Sequence, residues 1–327
     1  MEQGYVRAAA VTPEIRVADT SYNAKAICDG IAGAAAQGAK IIVLPELCIT
    51  GYTCGDLFLQ EKLLCEAKKE LLRIAEFTSE IDAVVFVGVP LVCRGKLYNT
   101  AAVLNRGRVL GVVPKTCLPN YNEFYEARHF TRGMEEPVEL ALTKDIVVPM
   151  GTRQLFVCEE LPELKIAAEI CEDLWTAEPP SIRHARCGAN VIVNLSASDE
   201  TTGKAAYRRE LVLGQSARLL CGYIYASAGD GESTQDVVYS GHNLIAENGR
   251  LLKESTPFCS ETIYSEIDVF WLNEERRRMT TFEPSGEKYR ETYFSLKKEE
   301  TALSRAVDPM PFVPSGQQDR RRRCEEI

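Results

Sequence analysis

The sequence has no run of about 18 or more uncharged apolar residues, the length a membrane-spanning helix requires. Its first residues, Met1-Glu-Gln-Gly-Tyr-Val6, carry no basic stretch leading into an apolar one, so nothing in them marks secretion. CxxC is missing, which removes the zinc ribbon and the thioredoxin-type redox motif. GxGxxG and GxxxxGK[ST], the glycine-rich phosphate cradles, are missing too, as is the GxSxG elbow of serine hydrolases. Positive charge is in deficit: 38 lysines and arginines against 47 acidic residues give a net charge of −9. A chain of that sign repels phosphate backbones unless it carries a local basic patch. The one basic run, Arg320 to Arg323, is a short stretch near the end rather than a face. Neither nucleic acid nor a membrane is an expected partner, and no metal site is expected.

What is present describes a globular protein. The 327 residues, 45% hydrophobic and 26% charged, suffice for one large or two small domains with a full core. Twelve cysteines stand at scattered spacings, which in a chain of this length reads as reduced thiols, several of them small core residues. The expected setting is the cytoplasm.

Val- and Ile-rich runs alternate with helix-like stretches over the first two-thirds of the chain. Strands are expected at residues 6–11, 41–44, 83–89, 101–104, 109–113, 155–158, 166–170, 191–195, 223–226, 242–246 and 262–267. Helices are expected at 21–37, 56–78 and 204–220. In the second of these Leu57, Leu64, Ala67, Leu71 and Ile74 would share a face, with Gly55-Asp56 as N-cap; Asp19-Thr-Ser21 would cap the first. Runs such as 41–44 and 191–193 are apolar throughout, as strands covered on both faces must be. Many strands with few helices between them suggest an α/β fold of two stacked sheets flanked by helices. From Asn273 onward the chain becomes charged, and Asp308-Pro-Met-Pro-Phe-Val-Pro-Ser-Gly316 reads as a proline-rich linker. Asp319 then opens a short helix over 320–327, either a frayed charged tail or the start of a further domain.

Three strand-like runs each end in a reactive residue: Ile41-Ile-Val-Leu-Pro in Glu46, Leu110-Gly-Val-Val-Pro in Lys115, and Lys165-Ile-Ala-Ala-Glu-Ile in Cys171. Functional groups in α/β sheets gather at the carboxyl ends of strands, so these three can converge. A thiol must lose its proton to become a nucleophile, and a carboxylate can take that proton. An ammonium stabilises the oxyanion of a tetrahedral adduct, and the protonated carboxylic acid can then protonate a departing amine. Singly, each is ordinarily a strand-end charge or a small core residue. A Cys–His hydrolase would need a partner from His129, His184 and His242, of which only His129 lies inside a motif.

The surrounding words are Leu44-Pro-Glu-Leu-Cys-Ile-Thr-Gly-Tyr52, the stretch from Pro114 to Phe130, and Glu169-Ile-Cys-Glu-Asp-Leu-Trp175. All three resemble the nitrilase, or carbon–nitrogen hydrolase, superfamily, in its chain order of Glu, Lys, Cys. The longer forms GYTCGDLF (51–58), LPNYNEFYEARHF (118–130) and CEDLW (171–175) are similar to the glutaminase domains of glutamine-dependent NAD(+) synthetases. The resemblance implies a nitrilase-like α-β-β-α sandwich over residues 1–270, with 271–327 as a charged extension leading toward an absent synthetase domain. It implies Glu46 as general base, Lys115 as oxyanion stabiliser, Cys171 as nucleophile, the backbone N–H of Glu172 as second oxyanion donor and Glu126 as brace for the lysine. For glutamine binding it implies Tyr121, Ser198 and Lys204, with Tyr52, Phe124 and Trp175 lining the pocket.

The implied reaction is hydrolysis of the L-glutamine side-chain amide through a thioester, without a cofactor. ATP, Mg and deamido-NAD would enter only through the synthetase domain, whose signature is absent, and a homo-oligomer is expected. In the loop Ser198-Asp-Glu-Thr-Thr-Gly-Lys204, Lys204 can serve a substrate carboxylate and Asp199 or Glu200 an ammonium. Where relatives often carry proline after the serine, this chain has Asp199, a departure that bears on loop shape. The rival expectations are a stand-alone amidase, nitrilase or carbamoylase using the same residues, and a catalytically silent scaffold.

Overall fold

The computed structural model describes residues 1–307 and 316–326; the expected linker residues 308–315 and Ile327 lie outside the described residues. Seven strands come first: β1 (Tyr5–Ala10), β2 (Ile41–Val43), β3 (Val84–Cys93), β4 (Lys96–Asn105), β5 (Arg108–Pro114), β6 (Val138–Ala141) and β7 (Val147–Met150). Eight follow: β8 (Gln154–Cys158), β9 (Lys165–Ile170), β10 (Val191–Ser196), β11 (Gly222–Ser227), β12 (Leu244–Glu247), β13 (Arg250–Glu254), β14 (Ile263–Asp268) and β15 (Arg290–Phe294). The helices are α1 (Thr20–Ala36), α2 (Glu61–Phe77), α3 (Pro180–Arg186), α4 (Lys204–Leu219), α5 (Val269–Arg278) and α6 (Gln317–Glu326).

The strands form two mixed sheets, ordered β14-β1-β2-β3-β4-β5-β7-β6 and β13-β12-β11-β10-β9-β8-β15. Strand alternation explains the layering. In β2, Ile41 and Val43 face the core between the sheets, while Ile42 packs outward under α1 and α2. In β10, Val191 and Val193 face that same core, and Ile192 packs outward with Val212 and Leu219 of α4. Both strands are therefore buried on two faces, and the molecule is the expected α-β-β-α sandwich. Phe86 of β3 and Phe156 of β8 meet edge-on across the central layer, ring centroids 6.0 Å apart, a contact contributing about 0.5–1.5 kcal/mol beyond its buried area.

Several expectations are corrected. The single helix over 56–78 is a 3-10 turn, Gly55–Leu59, followed by α2, with extended Gln60 between them. Leu57 is exposed and Leu64 only half-buried; Leu63, Ala67, Leu71 and Ile74 carry the inner face. Asp56 caps neither helix, because its carboxylate is drawn to Arg128 (2.7 and 2.8 Å) and His129 (2.9 Å). Asp19 does cap α1, accepting from Tyr22 N at 3.1 Å. Residue 270 falls inside α5, and the sandwich continues beyond it: β15 pairs with β8, and Phe294 and Leu296 are buried in the central core. Gln317 and not Arg320 begins the last helix. Among the described residues, all twelve cysteines are free and no helix is long and apolar enough to cross a membrane.

Candidate active site

Lys115 and Cys171 directly follow β5 and β9, Glu46 stands three residues beyond the end of β2, and the facing sheets bring the three together. Two backbone features set Glu46 and Cys171. Gly88 of β3 lies so close under the Glu46 turn that a Cβ there would stand 2.2 Å from Leu47 N and 2.3 Å from Pro45 O; the absent side chain is what lets the turn descend. Cys171 adopts φ +43° where β9 breaks into the 3-10 turn Cys171–Leu174. A left-handed conformation in a residue with a side chain costs of order 1–3 kcal/mol and persists only where its surroundings enforce it. They do so here through two side-chain acceptors. Cys171 N donates to Asn194 Oδ1 (3.1 Å), and Asp173 accepts from Ile170 N, Thr116 N and Cys117 N at 3.0, 3.2 and 2.8 Å. Asp173 thus ties the cysteine turn to the segment following Lys115.

Lys115 is wholly buried, its Nζ 2.7 Å from Glu46 Oε1 and 2.6 Å from Glu126 Oε1. Burial works against its charge, but Glu126 and Glu46 outweigh burial and hold the ammonium well above its usual range. Glu126 is pushed upward by burial, Lys115 opposing and Glu46 adding to the rise. Glu46 is further fixed by Asn99 Nδ2 (2.6 Å) and Ala197 N (2.9 Å). The Cys171 thiol responds to Glu46, Lys115 and Glu126 together; burial, followed by Glu46, raises it above the usual thiol range. The sulfur is therefore held toward its thiol form, under the influence of two carboxylates and one ammonium.

Cys171 opens into a recess of about 180 Å³ lined by Tyr121, Phe124, Glu172, Trp175, Ser198 and Lys204, among others. That volume is below the usual range for drug-sized ligands and suits a small metabolite. Lys204 Nζ lies 5.6 Å from the Phe124 ring centroid and 5.4 Å from that of Trp175, and it pairs with Asp199. Tyr121 donates its hydroxyl to Glu172 Oε1 at 2.6 Å. Glu200 is turned away from the recess residues toward Arg208 Nη1 (3.1 Å) and Ser240 Oγ (2.7 Å). Tyr52, expected in this pocket, lines a neighbouring cavity of about 270 Å³ instead, because its hydroxyl is held by Glu126 Oε1 at 2.8 Å. Phe124 borders both cavities. No group of three or more His, Cys, Asp or Glu side chains is arranged to hold a metal among the described residues.

Sequence reasoning did not single out Asn99, Asn194 or Asp173. The first two are polar residues inside otherwise apolar strands, which was the available signal. Asp173 stands three residues after Ile170, the spacing of a helix-start capping residue.

The carbon-nitrogen hydrolase family model matches residues 7–273. The glutamine-dependent NAD(+) synthetase of Mycobacterium tuberculosis strain H37Rv is 39% identical over 336 residues, covering 99% of this chain and 49% of the relative. The Homo sapiens protein of that name is 30% identical over 255 residues, 75% of this chain and 35% of the relative. The chain thus spans about half, or less, of the length of such curated relatives. Among solved structures, a glutamine-dependent NAD(+) synthetase from Cytophaga hutchinsonii superposes with a TM-score of 0.73 at 32% identity, over 82% of this chain and 45% of that one. An amidase from Nesterenkonia sp., at 19% identity, shares the fold with a TM-score of 0.64 over 85% of this chain and 96% of its own.

Proposed function

The chain belongs to the carbon–nitrogen hydrolase family, and from that premise we propose that it hydrolyses the side-chain amide of L-glutamine to glutamate and ammonia through a thioester on Cys171. The observation that carries this reading is a buried Glu46–Lys115–Glu126 cluster acting on Cys171, whose side chain opens into one small recess that Lys204, paired with Asp199, also lines.

Glu46 takes the thiol proton as Cys171 Sγ attacks the amide carbon, which avoids a free thiolate in a site that disfavours one. The oxyanion forms beside the Lys115 ammonium and the N–H of Glu172, an early donor of the 3-10 turn that lacks an intrahelical partner. Glu46 returns the proton to the amide nitrogen, and ammonia leaves. Water, deprotonated by Glu46, then attacks the thioester; the C–S bond breaks, the sulfur regains a proton and glutamate departs. Glu126, held by Tyr52, keeps Lys115 charged throughout. Phe124 and Trp175 enclose the substrate's methylenes, Tyr121 and Ser198 offer hydroxyls, and Lys204 meets its carboxylate.

The relatives' names extend the proposal: ammonia from this domain would pass to a synthetase domain that uses ATP and Mg to amidate deamido-NAD, in a cytoplasmic homo-oligomer. The hydrolysis itself needs no cofactor. The test is labelling with 6-diazo-5-oxo-norleucine, a glutamine-like electrophile. One label per chain on Cys171, abolished in Glu46→Gln, supports the reading. Indiscriminate labelling of the twelve thiols, or none, contradicts it.

A further inference from the structure

Glu169 stands two residues before Cys171 and takes no part in the chemistry above, yet it is buried on β9 in register with Asn194 of β10. Glu169, Asn194, Tyr223 and Ser181 are each at most 1% exposed, so an unmatched donor or acceptor among them is costly. The direction of every hydrogen bond between them is thereby set. A backbone N–H can only donate, so the Asn194 atom 3.1 Å from Cys171 N is the amide oxygen, which also accepts from Ser196 Oγ at 2.8 Å. The other end of that amide, Nδ2, can only donate, and it meets the Tyr223 hydroxyl at 3.1 Å. A hydroxyl that accepts on one side sends its single proton elsewhere, and Glu169 Oε1 receives it. Glu169 Oε2 accepts from Ser181 N of α3 at 2.9 Å. Ser181 Oγ accepts from Gln215 Nε2 of α4 at 2.9 Å, which braces the far end. One directed chain of bonds thus runs from two outer helices to the backbone of the nucleophile.

We propose that Glu169 is a positioning residue for the nucleophile: its two acceptor oxygens orient the Tyr223 hydroxyl, which orients the Asn194 amide, which holds the Cys171 N–H. The assignment rests on the amide hydrolysis proposed above. A reversal at one link passes along the chain. A glutamine at position 169 has one acceptor oxygen, for which Ser181 N–H and the Tyr223 hydroxyl compete. Given to Ser181, it leaves an NH2 group facing Tyr223, whose proton then finds an acceptor only if the Asn194 amide turns over. The turned amide presents its own NH2 to the Cys171 N–H, donor against donor. The left-handed turn at Cys171 (φ +43°) is then held by Asp173 alone, and such a conformation persists only where its surroundings enforce it. The N–H of Glu172 is next in the chain, so nucleophile and oxyanion donor are displaced together. None of these bonds reaches Tyr121, Phe124, Ser198 or Lys204, so the recess that receives the substrate is spared.

The test measures kcat and KM for L-glutamine, beside the melting temperature, in wild type, Glu169→Gln, Tyr223→Phe and the double variant. Each single substitution is expected to lower kcat about tenfold or more while KM stays within about threefold. The double variant is expected to match the worse single one within about threefold, because one chain of bonds is cut twice. A merely structural part for Glu169 would lower the melting temperature and leave the kcat of the folded enzyme where it was. Tyr223→Phe gives the same reading should the glutamine variant not fold. Folded variants with wild-type kcat, a rise in KM alone, or losses that multiply in the double variant would overturn the assignment. Wild type that releases no glutamate would sink the proposed hydrolysis itself; an active wild type with equally active variants sinks only the role of Glu169.

Discussion

The chemistry of single residues here is governed by burial. Cys171 sits among two carboxylates and one ammonium, and its thiol is held above the usual range. A simple alkylating agent needs thiolate and access. Iodoacetamide is therefore expected to modify the exposed Cys65, Cys259 and Cys324 well before Cys171, an order read by peptide mass mapping. Cys171 reacting first would mean that the thiolate forms without substrate. Lys115→Met removes the oxyanion's cation and should lower kcat by about 10²–10³. It also leaves Glu46 and Glu126 buried without their shared partner, a loss of about 3–5 kcal/mol of stability readable by denaturant unfolding. Glu46, Lys115 and Cys171 were legible in the sequence because each closes an apolar strand, and chain order supplied the rest. Asn99, Asn194 and Asp173 were not, since a polar side chain within or beside a strand reveals its partner only once distant strands have paired.

At the scale of elements, strands act as supports for the turns that carry the reacting groups. Gly88→Ala would drive a methyl group into the Pro45–Leu47 backbone. Backbone cannot give as a side chain can, so we expect a loss of about 1–3 kcal/mol in stability and a larger loss of kcat/KM as Glu46 is displaced. Unchanged kinetics would contradict the tight descent of that turn. Glu169 of β9 couples α3 and β11, accepting from Ser181 N (2.9 Å) and from the Tyr223 hydroxyl. Burial raises its carboxyl from 4.5 to about 7. The folded chain then binds this proton more tightly than the unfolded chain does. The contribution is full below about pH 4.5 and is lost as pH rises through about 7. Glu169→Gln should flatten the fall in melting temperature across that window; an unchanged slope would refute this. The strands best read from sequence were those apolar on both faces. β6 and β7 are short, with Glu139 and Pro149 interrupting their apolar runs, and β13 is mostly polar. The Asn248-Gly249 turn (φ +46° and +78°) before β13 was a hairpin signal that went unused. The predicted long second helix failed because apolar spacing persisted through Gln60, where the backbone turns extended.

For the molecule as a whole, the two sheets had to be stacked before the site could exist, since Glu46 and Lys115 come from one and Cys171 and Ser198 from the other. The stacking was foreseeable from doubly apolar strands; the contribution of residues beyond 270 was not. β15 has two charged residues among its five, and only its parallel pairing with β8 carries Phe294 into the core. Phe294→Ala should cost about 3–5 kcal/mol, and a chain ending at residue 273 should unfold more readily than the whole. A shortened chain of undiminished stability would place the limit of the folded unit where the sequence suggested it. The central claim is tested most directly by glutamate release from L-glutamine, without ATP, by the wild-type chain beside Cys171→Ala. We expect glutamate and ammonia in equal amounts from the first and none above background from the second; release by both at similar rates, or by neither, would contradict the account.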